Sequence, residues 1–219
     1  MFEARILYIN RDLTQAEYQR FLAVAAPEKR ARIGRFRFFA DAQRALLGDM
    51  LARMLVAKAA GQDGRGILFD VGAHGKPFVL GRPDIHFNIS HAGRYIAGAV
   101  DSSPVGIDIE VITPVKEKIA DRFFAEDEKA YISAVGSAES TRRFFSIWTR
   151  KEAYIKRDGR GLGVPLPSFS VLNGESANGA RYHMIFSDES AIGHICTHRP
   201  DPPACAIWTV DEFLGAFWE

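Results

Sequence analysis

The six residues from Val105 to Glu110 constrain the fold more than any other part of this chain. Apolar residues alternate there with small or acidic ones, in the order Val-Gly-Ile-Asp-Ile-Glu, which is the period-two pattern of a β-strand. Asp108 and Glu110 therefore leave the same face of the strand, with their Cα atoms about 6.5–7 Å apart. Two carboxylates this close repel each other, and a Mg²⁺ ion between them would remove the repulsion. The alternative is an edge strand whose acidic face is simply solvated.

The bulk composition is that of an ordinary soluble globular protein. The chain has 219 residues, of which 47% are hydrophobic and 25% charged, enough for one large or two small domains. The net charge of +1 excludes a global field for nucleic acid or an anionic membrane, so any anion site must be local. Cys196 and Cys205 form no C-x-x-C pair, and we expect a reducing cytoplasm. The charged N-terminus does not resemble a signal peptide, and no apolar run reaches membrane-span length.

Periodicity along the chain predicts helices mixed with strands, which is an α+β fold. Predicted helices cover residues 14–24, 41–60, 116–124, 127–135 and 140–157. Predicted strands cover residues 2–9, 67–71, 85–90, 95–101, 105–111, 169–172, 181–186, 192–197 and 204–210. Arg37-Phe38-Phe39-Ala40-Asp41 reappears as Arg122-Phe123-Phe124-Ala125-Glu126, a weak hint of a duplicated unit with a cleft at the join near Asp108.

The last long helix carries a second group of chemically active residues. Trp148, Glu152 and Lys156 are four residues apart and share one helix face. One interpretation is a solvated Glu–Lys pair, which the large apolar side chain of Trp148 argues against. The other makes Glu152 a third carboxylate for the cation and Lys156 a contact for a neighbouring phosphate.

Polar residues also lie where a predicted strand ends, a common place for ligand-binding groups. Ser90 and His91 end such a strand, and Lys76 lies upstream in a Gly-Lys-Pro turn that lacks Walker A spacing. Lys76 is either a phosphate contact or an ordinary surface lysine. Adjacent strand residues point to opposite faces and no Gly-x-Ser-x-Gly elbow is present, so Ser90 and His91 do not predict a nucleophilic hydrolase.

Two further patterns indicate structure rather than chemistry. His194, Cys196 and His198 would share one strand face, but a fourth zinc ligand at the usual spacing is absent and strand packing explains them better. The glycines at 159, 161 and 163 follow a helix rather than a strand, so they predict a flexible loop and not a dinucleotide site.

Taken together, the motifs resemble those of the 4′-phosphopantetheinyl transferases. The resemblance rests on the order of Gly106-Ile107-Asp108-Ile109-Glu110 and Trp148-x-x-Lys151-Glu152-x-x-x-Lys156. Further motifs look like the Sfp-type branch, which activates peptide and polyketide synthetases: Pro27-Glu28-Lys29-Arg30, Arg44-x-Leu46-Leu47-Gly48-Asp49, Gly75-Lys76-Pro77 and Phe87-Asn88-Ile89-Ser90-His91. The resemblance runs from the N-terminus to about Phe169 and fades beyond it.

The resemblance implies two similar α/β subdomains related by pseudo-twofold symmetry, residues 1–104 and 105–219, with coenzyme A in the cleft between them. It implies Mg²⁺ ligation by Asp108, Glu110 and Glu152, with Lys156 on the pyrophosphate. It implies phosphate and nucleotide contacts from Lys29, Arg32, Arg44, Lys76, Ser90 and His91, with His91 on the 3′-phosphate and Pro77 near the adenine. Arg32, Ala45 and Ala153 depart from the usual family residues without touching the carboxylates.

The implied reaction moves 4′-phosphopantetheine from coenzyme A to a serine of an apo carrier protein and releases 3′,5′-ADP. Asp108, Glu152 and Lys156 are the predicted catalytic residues, with Glu152 as general base. Glu128 is either a weaker candidate for the same role or simply a solvated helix residue. We expect a monomer that docks its carrier through residues 116–124. Two other functions remain open: hydrolysis or phosphoryl transfer on another nucleotide, and a non-catalytic carrier-docking module.

Overall fold

A computed structural model describes residues 2–115, 119–176 and 178–218. The helices are α1 (Gln15–Val24), α2 (Pro27–Ile33), α3 (Phe39–Ala60), α4 (Ile119–Phe123), α5 (Glu126–Ser133), α6 (Ser137–Asp158) and α7 (Val210–Trp218). The strands are β1 (Phe2–Tyr8), β2 (Phe69–Val71), β3 (Pro77–Val79), β4 (His86–Ala92), β5 (Tyr95–Asp101), β6 (Gly106–Val111), β7 (Arg181–Ser187), β8 (Ala191–Thr197) and β9 (Ala204–Thr209). None of the described helices is long and apolar enough to cross a membrane.

The first sheet has the strand order β4-β5-β1-β9, with β1 antiparallel to β5 and parallel to β9. Helix α3 packs across β4 and β5 because Leu47, Met50 and Leu51 recur on its inner side and are fully buried. The C-terminal helix closes the same core, where the rings of Phe21 and Phe213 lie 5.8 Å apart. The chain therefore returns to its first strand at its end.

The second sheet is antiparallel, in the order β6-β8-β7, and α6 packs against β6 and β8. The inner side of α6 buries Phe144, Phe145 and Ile147. A β2-β3 hairpin forms a separate small sheet. The mixed α+β architecture agrees with the prediction.

The two larger sheets meet where β6 runs beside β4. The backbone N–H of Ile107 donates a hydrogen bond of 2.9 Å to the buried Asn88 Oδ1. A side chain from the first sheet thus accepts the hydrogen bond of a backbone N–H on the edge strand of the second sheet. A shared core that includes Ala97 and Ile107 fills the space between the sheets. Because Gly106 to Ile109 are buried, the interpretation of a solvated edge strand is wrong.

The subdomain boundary at residues 104/105 and the pseudo-twofold symmetry stay predictions. Each half carries a 22-residue helix, α3 and α6, packed on a pair of its strands. Strand β9 nevertheless joins the sheet of the N-terminal half, so the last part of the chain packs with the first.

Some sequence-predicted elements differ from those in the structure. Residues 169–172 form no strand, because the backbone there is bonded by side chains: Lys151 Nζ donates to Phe169 O at 2.6 Å, and Val171 N donates to Glu128 Oε1 at 2.9 Å. Helix α2, which begins at Pro27, was not predicted, because its many basic residues obscure the helical periodicity of apolar residues. Helix α7 and the short strand β3 were also not predicted. The predicted helix at 116–124 is represented by α4, and residues 116–118 lie outside the described part of the chain.

Candidate active site

Strand β6 and helix α6 bring the three predicted carboxylates together. Gly106 allows this, because a Cβ there would lie 2.0 Å from Ala153 O and 2.3 Å from Arg157 N on the α6 backbone. With the helix so close to the strand, Glu152 lies near Asp108, and each of these carboxylates raises the pKa of another carboxyl in the cluster. Residues separated in the sequence by the two helices α4 and α5 therefore form one acidic cluster.

Asp108 lies at the centre of this cluster and is only 2% exposed. Its Oδ1 accepts hydrogen bonds from Ser90 Oγ at 2.7 Å and from Lys156 Nζ at 2.5 Å. Lys156 Nζ also donates to Ser90 Oγ at 2.8 Å. The ammonium of Lys156 thus pairs with Asp108 inside the cleft, and the interpretation of a solvated Glu152–Lys156 surface pair is wrong.

Burial and mutual repulsion raise the pKa values of all three carboxyls. Desolvation is the main cause for Asp108, and the Lys156 ammonium offsets part of it. Desolvation followed by the charge of Asp108 raises the pKa of Glu110 to about 7, against the opposing effects of Lys156 and the Trp148 indole. The same two causes, in the same order, raise the pKa of Glu152. A bound cation would relieve the penalty for each carboxylate.

The residues present fit a hard divalent cation. Asp108 Oδ2 is buried and has no hydrogen-bond partner, which leaves an acceptor free for a ligand. Three clustered carboxylates supply the oxygen chemistry that Mg²⁺ prefers. Within the described ranges, however, no group of three or more His, Cys, Asp or Glu side chains forms a ready-made metal cage. Lys156 occupies the other oxygen of Asp108, so metal binding requires local rearrangement of these side chains.

The raised pKa of Glu110 predicts a pH-dependent effect on stability. Because its pKa rises from 4.5 to about 7 on folding, the folded state binds this proton more tightly. Glu110 therefore lowers the free energy of unfolding as the pH rises from about 4.5 to about 7, with the full loss above that range. Glu110→Gln in metal-free protein should raise that free energy by about 1–2 kcal/mol at pH 8, after a discount for partial exposure. The gain should shrink toward zero as the pH falls to 4.5.

Thermal melts of metal-free protein across this pH range test the prediction. Glu189→Gln is the matched control, since Glu189 is exposed. A gain from Glu110→Gln that is equal at pH 8 and pH 4.5 would contradict the effect.

Positively charged groups from other elements lie beside the acidic cluster. The pKa of His91, at the end of β4, is lowered first by desolvation and then by the charges of Arg44, Lys156 and Lys29. His91 is exposed as a residue, yet desolvation by the neighbouring protein is still the largest cause of its lowered pKa. Lys29 Nζ lies 3.9 Å from Asp49 Oδ1, whereas Arg44 donates to Asp41 and, at 3.1 Å, to Gly93 O. Arg44, Lys29 and Lys156, the last of which pairs with Asp108, are therefore all close enough to His91 to act on its charge.

The remaining predicted ligand residues lie on α2 and on the β2-β3 hairpin with the turn before β3. Arg32 is exposed on α2 and contributes to the lowered pKa of Lys29. Desolvation lowers the pKa of Lys76 to about 8, with the charge of Arg157 as the next cause. Lys76 Nζ donates to Val105 O at 3.2 Å and Arg157 O at 3.1 Å, so its ammonium is held by backbone at the end of α6. Pro77 begins β3 in the hairpin.

Glu128 and Lys151 form a buried ion pair that the sequence did not predict. Both side chains are 0% exposed, and Lys151 Nζ lies 2.8 Å from Glu128 Oε2. Glu128 also accepts from the backbone N–H groups of Ala125 and Val171. The prediction of a solvated Glu128 is wrong, and its engaged oxygens make it unsuited to be a general base. No local signal in the sequence reveals the burial of Lys151, because its pairing partner is on another helix.

The zinc interpretation of the His194 strand receives no support among the described residues. His194 is 1% exposed and bonds to α6, whereas His198 is exposed. Packing of the strand, the preferred alternative, accounts for the burial of His194 and Cys196.

The geometry defines a class of protein: an α+β fold with a half-buried carboxylate cluster beside a group of cations, suited to a phosphorylated ligand and a divalent ion. Comparisons with known proteins identify the family. The sequence profile of the 4′-phosphopantetheinyl transferase superfamily matches residues 104–209, and that of the 4′-phosphopantetheinyl transferase N-terminal region matches residues 12–103.

Curated relatives agree with these profiles. A 4′-phosphopantetheinyl transferase of Bacillus subtilis is 47% identical over 165 residues, which cover 75% of this chain and 74% of the relative. The 4′-phosphopantetheinyl transferase Sfp of Bacillus subtilis strain 168 is 44% identical over the same shares. The 4′-phosphopantetheinyl transferase ffp of Bacillus subtilis is 39% identical over 90% of this chain and 92% of the relative. This chain belongs to the 4′-phosphopantetheinyl transferase superfamily, in its Sfp branch, and is a transferase.

Proposed function

We propose that this enzyme transfers 4′-phosphopantetheine from coenzyme A to a serine hydroxyl of an apo carrier protein, with Mg²⁺, and releases 3′,5′-ADP. The observation that carries the proposal is the meeting of Asp108, Glu110 and Glu152 with Lys156 in one half-buried cluster. Transfer to a phosphorus centre depends on positioning and charge neutralisation more than on a protein nucleophile. When bound, Mg²⁺ would neutralise charge that develops on the leaving pyrophosphate oxygens.

Each residue of the cluster has a separate task in this proposal. Asp108, Glu110 and Glu152 hold the cation, and the free Oδ2 of Asp108 is available for it. Lys156 can exchange its bond with Asp108 for one to a pyrophosphate oxygen, because its side chain is 27% exposed. Besides holding the cation, Glu152 accepts the proton of the attacking serine, directly or through a water molecule. The new serine O–P bond replaces the bridging P–O bond to 3′,5′-ADP.

The cations beside the cluster would bind the rest of coenzyme A. Lys29 and Arg44 are close enough to His91 to lower its pKa, after desolvation as the main cause, and all three lie on elements of the N-terminal half. We assign the phosphates to these groups together with Arg32 and Ser90, and the 3′-phosphate to His91. Lys76 and Pro77 are proposed to contact the nucleotide from the neighbouring hairpin, which requires Lys76 to leave its backbone acceptors or to share them.

The decisive experiment incubates the protein with coenzyme A, Mg²⁺ and a panel of apo carrier proteins, including peptidyl, acyl and aryl carriers. The expected result is the addition of one phosphopantetheine to a carrier by mass spectrometry, with equal release of 3′,5′-ADP. Release of that product without a carrier would favour nucleotide hydrolysis instead. An absence of mass gain with every carrier would reject the transfer.

The carrier-docking surface is proposed to be the segment 116–124, of which the described part includes α4. Phe123 packs edge-on against Trp148 at a centroid distance of 5.5 Å, and the Trp148 indole lies near enough to Glu110 to oppose the rise of its pKa. A carrier seated on this segment would therefore bring its serine close to the carboxylates. A monomeric state and a cytoplasmic location complete the proposal, and the free thiols of Cys196 and Cys205 agree with a reducing compartment.

A contact between His91 and the 3′-phosphate predicts a selective loss of affinity. His91→Ala should weaken binding of coenzyme A by about tenfold or more, since a hydrogen bond to a charged group contributes about 1.5–3 kcal/mol. Binding of dephospho-coenzyme A, which lacks the 3′-phosphate, should change little. Calorimetric titration of both ligands measures the difference, with His198→Ala as the control because His198 is exposed elsewhere. An equal loss for both ligands would remove this role from His91.

A further inference from the structure

His194 is buried and lies directly opposite Asp108 on the neighbouring strand. The register of β6 and β8 pairs Asp108 with His194, so both side chains leave the sheet on the same face. Helix α6 packs on that face, against both strands. His194 is 1% exposed, and none of the binding or catalytic roles proposed above is assigned to it.

The hydrogen bonds of His194 select one tautomer. Arg150 Nε lies 3.3 Å from His194 Nε2, and a guanidinium can only donate, so Nε2 must carry the lone pair. The proton is therefore on Nδ1, which lies 2.8 Å from Thr149 Oγ1. Thr149 accepts that bond and directs its own hydroxyl proton to Phe145 O, also at 2.8 Å. Every donor in this chain of bonds has an acceptor.

The ring is neutral in this arrangement. Desolvation and the charge of Arg150 lower the pKa of His194 to about 3. A second proton would have to face the Arg150 guanidinium, which already donates to Nε2.

We propose that His194 is a positioning residue for Glu152, holding α6 in register on the strands that carry Asp108 and Glu110 through its bonds to Thr149 and Arg150. Thr149 precedes Glu152 by three residues, or about 4.5 Å along the helix axis. Arg150 also donates to Val171 O at 3.3 Å, which joins the segment after α6 to the same anchor. This inference rests on the proposed function, because it concerns the carboxylate that would hold the cation and accept the serine proton.

The first test is the protonation of the ring in the wild-type protein. A long-range ¹H–¹⁵N correlation spectrum should contain one histidine protonated on Nδ1 alone, with no change between pH 5.5 and pH 8. Its signals should vanish in His194→Asn, which assigns them among the six histidines of the chain. Protonation on Nε2, or on both nitrogens, would overturn the proposal.

The second test compares two isosteric variants. His194→Asn keeps a donor near the Nδ1 position and preserves the bond to Thr149, whereas His194→Leu has the same size without a donor. His194→Leu should lower kcat by about 10–100-fold, the usual effect of losing a partner that orients a ligand residue. The KM for coenzyme A should change less than kcat, because all of its proposed phosphate contacts except Lys156 come from the other half. His194→Asn should recover most of the loss at a temperature where both variants are folded.

A third measurement separates this inference from the proposed function. The affinity of each variant for Mn²⁺ alone should fall in His194→Leu and be retained in His194→Asn, and it needs no carrier or transfer. If the wild type transfers nothing yet this pattern holds, the proposed function fails and the positioning role stands. Equal Mn²⁺ affinity and equal kcat in folded His194→Leu and wild type would refute the role. If His194→Leu does not fold, two other measurements decide the proposal: the tautomer of the wild-type ring and the Mn²⁺ affinity of His194→Asn. The proposal then stands only if the wild-type ring is the Nδ1–H tautomer and His194→Asn binds Mn²⁺ as tightly as the wild type.

Discussion

Asp108→Ala is expected to reduce phosphopantetheinyl transfer by about 10³-fold or more while the protein remains folded. The proposed cation loses its most buried ligand, and metal stabilisation of developing charge supplies several kcal/mol, of which each 1.36 kcal/mol is tenfold in rate. Lys156 also loses the carboxylate that it bonds at 2.5 Å. Transfer to an apo carrier, followed by mass spectrometry under single-turnover conditions, measures the loss.

Stability should respond to Asp108→Ala in the opposite way. The carboxylate is buried, its Oδ2 has no partner and desolvation raises its pKa, so its removal takes away an unfavourable group. We expect an unchanged or higher Tm in metal-free protein. Asp201→Ala, at an exposed position, is the control for both measurements. Unchanged turnover would refute the metal assignment, and an unfolded variant would refute the view that Asp108 serves chemistry rather than stability.

Gly106→Ala should be the most destabilising of the glycine-to-alanine changes in this chain, because its added Cβ has the shortest contact. The added Cβ would lie 2.0 Å from Ala153 O and 2.3 Å from Arg157 N, where ordinary contacts are 3.4–4 Å. These are backbone atoms, so no side-chain rotation relieves the overlap and α6 must move from β6. We expect a loss of about 3 kcal/mol or more in the free energy of unfolding, or about 6–12 °C in Tm.

The same displacement should impair transfer. A movement of about 1 Å in a catalytic group costs about 10²-fold in rate, and Glu152 is on the helix that moves. Gly215→Ala is the matched control: it lies in α7 with nothing within 4 Å of the added methyl, so it should stabilise the helix by about 1 kcal/mol. Denaturant unfolding and transfer rates measured on both variants test the prediction. Wild-type stability and rate in Gly106→Ala would contradict the close packing of helix on strand.

Elements with a strong local period could be predicted from the sequence. The alternation at 105–111 and the helical pattern at 140–157 correspond to β6 and α6, with small differences at the ends. Thr14 and Glu17 form the capping box that the spacing indicated at the start of α1. These signals succeed because neighbouring residues alone produce the pattern.

Elements that depend on distant partners could not be predicted. Residues 169–172 have strand-like composition, yet their backbone bonds to the side chains of Lys151 and Glu128 instead of to another strand. The exposed face of α2 is basic enough to hide its period. In both cases the preference of a short segment is overruled or masked by its surroundings.

The sequence alone determined the types of the principal elements and the order of chemical groups along the chain, including the acidic pair on β6 and the Trp148, Glu152 and Lys156 face. Only the tertiary structure decided that Lys156 bonds to Asp108, that Lys151 is buried with Glu128 and that His194 bonds to α6. The physical reason is that burial and charge pairing depend on how distant elements pack. Gly106 connects sequence and tertiary structure, because its lack of a side chain is read from the sequence and allows α6 to approach β6 in the fold.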